Sequence, residues 1–314
     1  MITLRDIHDA AGRIRPIARR TPVFTSSSFN ERAGCEAFFK CENFQKGGSF
    51  KIRGASNLIF SLTGEQLRNG IVAFSSGNHA QAAALAARHA GARATIVMPS
   101  DAPRSKLAAT RAYGAEIITY DRLTEDRTAI GRRIAAETNA TLVPPFDHEL
   151  IMAGAGTAAM ELLDDAPGLD ALAVCIGGGG LISGSAIAAT EIKPGIRVFG
   201  VEPAGANDVW LSLRRGVRVE IPPPDTIADG LRATMPGELT FPVIRDRVEQ
   251  VVLVTEDEIR ETVKYLLARM KMLVEPSGAV AAAAVLHGKL PAGPRRIGIL
   301  VSGGNVDLDV LAGL

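Results

Sequence analysis

One lysine, set just after two glycines and a serine, dominates the chemistry open to this sequence. Residues 45–55 read Gln-Lys-Gly-Gly-Ser-Phe-Lys-Ile-Arg-Gly-Ala. Ser49 is an N-cap residue type, and the apolar and basic run behind it predicts a helix with Lys51 in its first turn. Phe50 stands beside that amine, apolar positions lie behind it, and the positive end of the helix dipole is near. Poor solvation and the dipole both disfavour the ammonium, so the pKa falls. An amine in that condition can form a Schiff base with an aldehyde. Taken alone, the stretch reads more readily as a surface helix lysine.

Four other stretches have residue types suited to ligands. Ser75-Ser76-Gly77-Asn78-His79 lies between a predicted strand and a predicted helix, where backbone N–H groups and hydroxyls converge on an anion such as a carboxylate; a capped helix start is the alternative. Gly177, Gly178, Gly179 and Gly180 join another strand to a helix. Four bare backbones can wrap a tetrahedral oxyanion, phosphate above all. The run has neither the spacing of a dinucleotide fingerprint nor the Lys-Ser/Thr ending of a P-loop. Glu202-Pro-Ala-Gly-Ala-Asn-Asp208 leaves a strand and turns, and its carboxylates can serve a hard cation (Mg²⁺, Mn²⁺ or Ca²⁺) or stand as solvated loop acids. Ser302-Gly-Gly-Asn305 ends the last apolar run, where Ser302 can bond a ring nitrogen or start a turn.

These stretches need a frame, and the alternation of the chain supplies one. Apolar residues at 46% and 32 glycines among 314 residues fit a compact α/β protein of one large or two medium domains. A net charge of +1 without a basic block gives no sign of nucleic acid or an acidic membrane surface. Cys35, Cys41 and Cys175 lack metal or disulfide spacing, and the N-terminus lacks a signal-peptide core, so reduced cytosol is the expected compartment. The longest apolar runs are too short to span a bilayer.

Strands are expected at 37–41, 71–74, 94–98, 117–120 and 141–143, then at 171–176, 198–201 and 297–301. Helices are expected at 3–15, 81–89, after Pro103, between 120 and 141, and at 151–163, 181–190, 256–270 and 277–286. This order predicts parallel sheets with right-handed crossovers in two lobes, and a site in the cleft where strand ends meet. Gly154-Ala-Gly156-Thr-Ala-Ala159 matches a dinucleotide pattern but follows helical residues, and reads as close helix packing.

Together, Ser-Phe-Lys-Ile-Arg-Gly-Ala, Ser-Ser-Gly-Asn-His, the four glycines and Ser-Gly-Gly-Asn resemble the fold-type II pyridoxal-phosphate enzymes, nearly end to end and in order. The likeness is to serine racemase, catabolic threonine dehydratase and 3-hydroxyaspartate dehydratase. It implies a tryptophan synthase β-like α/β fold of two lobes. Residues 1–69 and 147–314 would form a large cofactor domain, and 70–146 a small domain for the substrate carboxylate. It implies that Lys51 carries pyridoxal 5'-phosphate, that Phe50 packs by the ring and that Asn78 meets the ring hydroxyl. Gly177 to Gly180 with Leu181 would cradle the phosphate. Ser302 would face the pyridine nitrogen, leaving it largely unprotonated and the ring a weaker electron sink.

On the substrate side the resemblance gives Ser75, Ser76, Gly77 and His79 to the α-carboxylate, with Lys51 removing the α-proton before the β-hydroxyl departs. Ser76 also matches the serine that faces the lysine in the racemase. Glu202, the carbonyl of Ala206 and Asp208 match a divalent-cation site. A homodimer and no regulatory domain after Ser302 are further expectations. Gly47 departs from a threonine of the racemase nucleotide site, although Tyr113 and residues 25–28 are retained, and 146–148 and 231–233 depart as well.

The expected activity is dehydration of 3-hydroxyaspartate to a keto acid and ammonia, with Arg127, Arg232 and His148 offering a cation to its second carboxylate. The same three residues also read as surface or interface positions. Serine racemase with side dehydratase activity is the second expectation, and a non-catalytic or NAD-binding α/β protein the third.

Overall fold

The fold is that of a computed structural model, which describes the whole chain except Ser76, Pro103, Arg122 and Leu123, and the side chains of Arg104 and Ser105. Among the described residues the strands are β1 (Val23–Phe24), β2 (Glu36–Cys41), β3 (Ile71–Phe74), β4 (Ala94–Pro99) and β5 (Glu116–Tyr120). Then come β6 (Thr141–Leu142), β7 (Ala171–Cys175), β8 (Arg197–Pro203), β9 (Gln250–Val254) and β10 (Arg296–Val301). They form two sheets, one ordered β1-β2-β10-β7-β8-β9 and the other β5-β4-β3-β6. The β1 and β2 pairing is antiparallel and the others are parallel, as an α/β chain with helical crossovers requires.

A parallel strand is covered on both faces, so it is written as a continuous apolar run. Ala-Leu-Ala-Val-Cys of β7 is buried throughout, and β10 is buried after its first residue. Expected strands fall on observed ones within a residue or two. β1 and β9 had no expectation: β1 is two residues long, and Gln250–Val254 starts with an exposed polar residue.

The helices that carry the site pack closely because small residues let them. Residues 154–159 lie inside the helix Glu149–Asp165. A β-carbon on Gly154 would come within 2.5 Å of the Arg53 carbonyl, and one on Gly156 within 2.7 Å of the Gly184 carbonyl. Those glycines serve contact with the helices Lys51–Ile59 and Gly180–Ile192, and they do not open a dinucleotide loop.

Candidate active site

The helix Lys51–Ile59 begins at Lys51 itself, and Ser49 does not cap it. The cap position belongs to Phe50 and makes no side-chain bond, which corrects the sequence expectation. Gly47 and Gly48, at φ +75° and +74°, turn the backbone so that Ser49 runs extended and bridges Gly303 just past β10. The Phe50 N–H donates to the Ser302 carbonyl at 3.0 Å. The lysine stretch is thereby stapled to the end of the last strand, which brings Lys51 and Ser302 to one place.

Behind Lys51 the helix is tied down by a buried ion network. Arg53 donates through Nε and Nη2 to Glu42 at 2.8 Å each, and through Nη1 and Nη2 to Glu161 at 2.7 and 2.8 Å. Lys40 reaches Glu161 at 2.7 Å. Burial alone would weaken the Glu42 acid, but the Arg53 charge and hydrogen bond hold it below its ordinary pKa.

The Lys51 Nζ donates to the Pro145 carbonyl at 2.7 Å. Burial lowers its pKa to about 8, against the opposing pull of Cys175 and Glu275. Those two groups were not singled out from the sequence. Burial pushes the Cys175 thiol up to about 11, although the Ser302 hydroxyl beside it works the other way. Burial, and then Asp229, raise Glu275 to about 8. Glu275 accepts from the Asn78 amide at 2.7 Å, while Asn305 donates to Asn78 Oδ1 at 2.9 Å, so Asn78 is fixed from two sides.

These groups line a cavity of about 550 Å³, a volume suited to a cofactor or small ligand. Phe50, Lys51 and Ser302 form one part of the wall, with Ser75, Gly77, Asn78 and His79 at the end of β3. The glycines 177–180 and Leu181 follow β7; two of those glycines have no room for a side chain and Gly180 has little. A β-carbon on Gly178 would run into the Phe146 ring, one on Gly180 would lie 3.1 Å from Phe146, and one on Gly179, at φ +96°, would lie 2.8 Å from Thr240. Their backbone opens onto the N-terminus of the helix Gly180–Ile192, which makes the loop an anion cradle. A phosphate and an aldehyde ring fit these residues: the cradle, the buried amine and the Ser302 hydroxyl share one cavity.

The remaining expected residues divide. Arg127 and Arg232 line the cavity. His148 does not: it caps the helix Glu149–Asp165, its Nδ1 accepting the Leu150 N–H at 3.1 Å. Ser76 lies outside the described residues. The buried His79 ring meets the Val143 carbonyl through Nε2 at 2.9 Å, and burial drives its pKa down to about 3. Its imidazole is neutral and already engaged, so it brings no charge to a carboxylate.

Glu202, Ala206 and Asp208 are buried apart from this cavity. The Glu202 oxygens accept the N–H groups of Val209 at 3.0 Å and Trp210 at 2.8 Å, while both Asp208 oxygens are buried without a donor. Burial raises both pKa values, Asp208 to about 7, with each carboxylate beside the other. Two buried carboxylates left in that condition suit a divalent cation. Among the described residues no group of three His, Cys, Asp or Glu side chains is placed to hold a metal.

Known proteins are similar to this chain over nearly its whole length. L-threo-3-hydroxyaspartate ammonia-lyase of Saccharomyces cerevisiae is 49% identical over 98% of this chain and 94% of its own length. Serine racemase of Schizosaccharomyces pombe is 47% identical over 98% of this chain and 95% of its own. The solved structure of maize serine racemase superimposes with a TM-score of 0.96 at 46% identity, covering 99% of this chain and 96% of that one. With the family described as pyridoxal-phosphate dependent enzyme matching residues 14–303, this chain belongs to that family.

Proposed function

We propose that this protein is an ammonia-lyase that dehydrates a β-hydroxy-α-amino acid, with 3-hydroxyaspartate as its preferred substrate. The observation that carries the reading is one cavity lined by the amine of lowered pKa, the glycine anion cradle, and Ser75, Gly77 and Asn78. The 3-hydroxyaspartate ammonia-lyase among its relatives supports the choice of substrate.

Bound pyridoxal phosphate supplies an aldehyde, first for Lys51 and then for the substrate amine, and a conjugated ring that takes up electron density released at the α-carbon. Gly177 to Gly180 and Leu181 would hold its phosphate, Phe50 would pack by the ring, and Asn78 and Ser302 would offer hydrogen bonds to its polar groups, all from the wall of one cavity. Lys51, once free, is a base: burial keeps a usable share of the amine neutral, so it accepts the α-proton. The Pro145 carbonyl, 2.7 Å away, orients that nitrogen. Backbone N–H groups and hydroxyls of residues 75–79 bind the α-carboxylate, with residues 70–146 as the smaller, substrate-binding domain. Loss of the α-proton and β-hydroxyl leaves an enamine, whose hydrolysis returns the water and releases ammonia and a keto acid.

Glu202, Ala206 and Asp208 hold a divalent cation away from the chemistry, as a structural charge. Cytosolic location and a homodimer belong to the same proposal. Among the described residues no helix is long and apolar enough to cross a membrane. A second reading, serine racemase with side dehydratase activity, is supported by the relatives of that name. Parallel assays of 3-hydroxyaspartate, L-serine and L-threonine for keto acid, ammonia and D-amino acid separate the two. Faster dehydration of threonine would remove the assignment, and D-serine outpacing pyruvate would favour the racemase.

A further inference from the structure

Among the described residues, three lysine or arginine side chains besides Lys51 line the cavity, and their situations differ. Arg232 donates through Nε at 3.0 Å and Nη2 at 2.5 Å to the Thr226 carbonyl, so its guanidinium is turned to backbone. Arg127 is exposed, with its guanidinium carbon 6.0 Å from the Phe74 ring centre. The Lys106 side chain is only 15% exposed and is ion-paired to the Asp229 carboxylate. Its Nζ lies 3.9 Å from where a β-carbon on Gly77 would stand, beside the turn that follows β3. Lys106 comes from the helix Arg104–Ala112, next to the four-stranded sheet; Asp229 comes from the single turn Asp229–Leu231, between β8 and β9 of the six-stranded sheet. Across the cavity, then, Lys106 already holds a carboxylate.

We propose that Lys106 selects substrates carrying a second carboxylate, and that this carboxylate takes the place of Asp229. The inference rests on the reading that 3-hydroxyaspartate is the substrate. In that four-carbon acid the distal carboxylate is one carbon beyond the reacting β-carbon, so a cation beside the α-carboxylate turn is within its reach. Exchanging one carboxylate for another keeps the Lys106 ion pair intact, and Asp229, with a side chain 43% exposed, returns to water at little cost. L-Serine and L-threonine offer no such exchange and leave Lys106 with Asp229. Selectivity then arises as a difference in affinity between ligands with and without the second charge.

The test uses the holoenzyme and two ligands with no β-leaving group, L-aspartate and L-alanine, whose dissociation constants are read from the change in the cofactor's visible absorption. The wild type is expected to prefer L-aspartate, K106Q to lose at least about ten-fold of that preference, and K106R to keep it within about three-fold. D229N, which removes the competing carboxylate, is expected to bind L-aspartate several-fold more tightly than the wild type. A preference that survives K106Q, or one that collapses in R127Q or R232Q instead, would overturn the proposal; so would weaker L-aspartate binding by D229N. If the preference depends on Lys106 yet 3-hydroxyaspartate is not dehydrated, the selectivity stands and the functional reading fails.

Discussion

Stripping the cofactor and reloading it across a pH series reads the state of Lys51 directly, because only the neutral amine attacks an aldehyde. With its pKa lowered to about 8, roughly one amine in eleven is neutral at pH 7. An ordinary exposed lysine has roughly one in three thousand, so this side chain starts about 300-fold ahead. Rapid mixing with pyridoxal phosphate, followed by borohydride trapping at timed intervals, gives the loading rate. That rate should rise about ten-fold per pH unit below the midpoint and level off above about 8. Glu275→Gln should move the midpoint down, because the Glu275 charge favours the ammonium. A rate still climbing ten-fold per unit between pH 9 and 10 would refute burial as the source of reactivity.

Other outcomes follow from the same geometry. Arg53→Met leaves Glu42 and Glu161 without their partner and should cost about 3–5 kcal/mol in urea unfolding at pH 7. Since Glu42 is held below its ordinary pKa in the folded state, its contribution is complete above the unfolded carboxylate range and fades as pH falls through the lower folded value, so the penalty should shrink in acid. Gly178→Ala drives a methyl into the Phe146 ring, and at about 1–3 kcal/mol should weaken cofactor binding several-fold to about a hundred-fold in a fluorescence titration. Mg²⁺, Mn²⁺ or Ca²⁺ at about 100 times its Kd should stabilise the wild type by about 2.7 kcal/mol, seen as a rise in Tm. Asp208→Asn should abolish that gain, and an undiminished rise in that variant would place the ion elsewhere.

What the sequence could reveal depended on whether a feature was local. The β7 and β10 runs declare buried parallel strands because both faces must be apolar, and the four glycines declare a backbone cradle because no side chain competes. The N-cap expectation for Ser49 failed because a pairing some 250 residues away in sequence, with Gly303, took that residue into a bridge. His148 was a candidate cation for a second carboxylate, but it is spent on capping its own helix. Glu275 and Lys106 carry no motif at all. Their meaning comes from Asn78 and Asp229, 197 and 123 residues distant, which only the folded sheets bring near. The two parallel-sheet lobes could be read from the alternation, but the strand order within the larger sheet could not, since β10 inserts between β2 and β7 by long-range register.

Reduction of the cofactor-loaded protein with borohydride, followed by peptide mass analysis, asks the most direct question of this account. A phosphopyridoxyl group on the peptide containing Lys51, absent in Lys51→Ala, is the predicted result. An adduct confined to another lysine, or a reduced protein with no adduct, would contradict it.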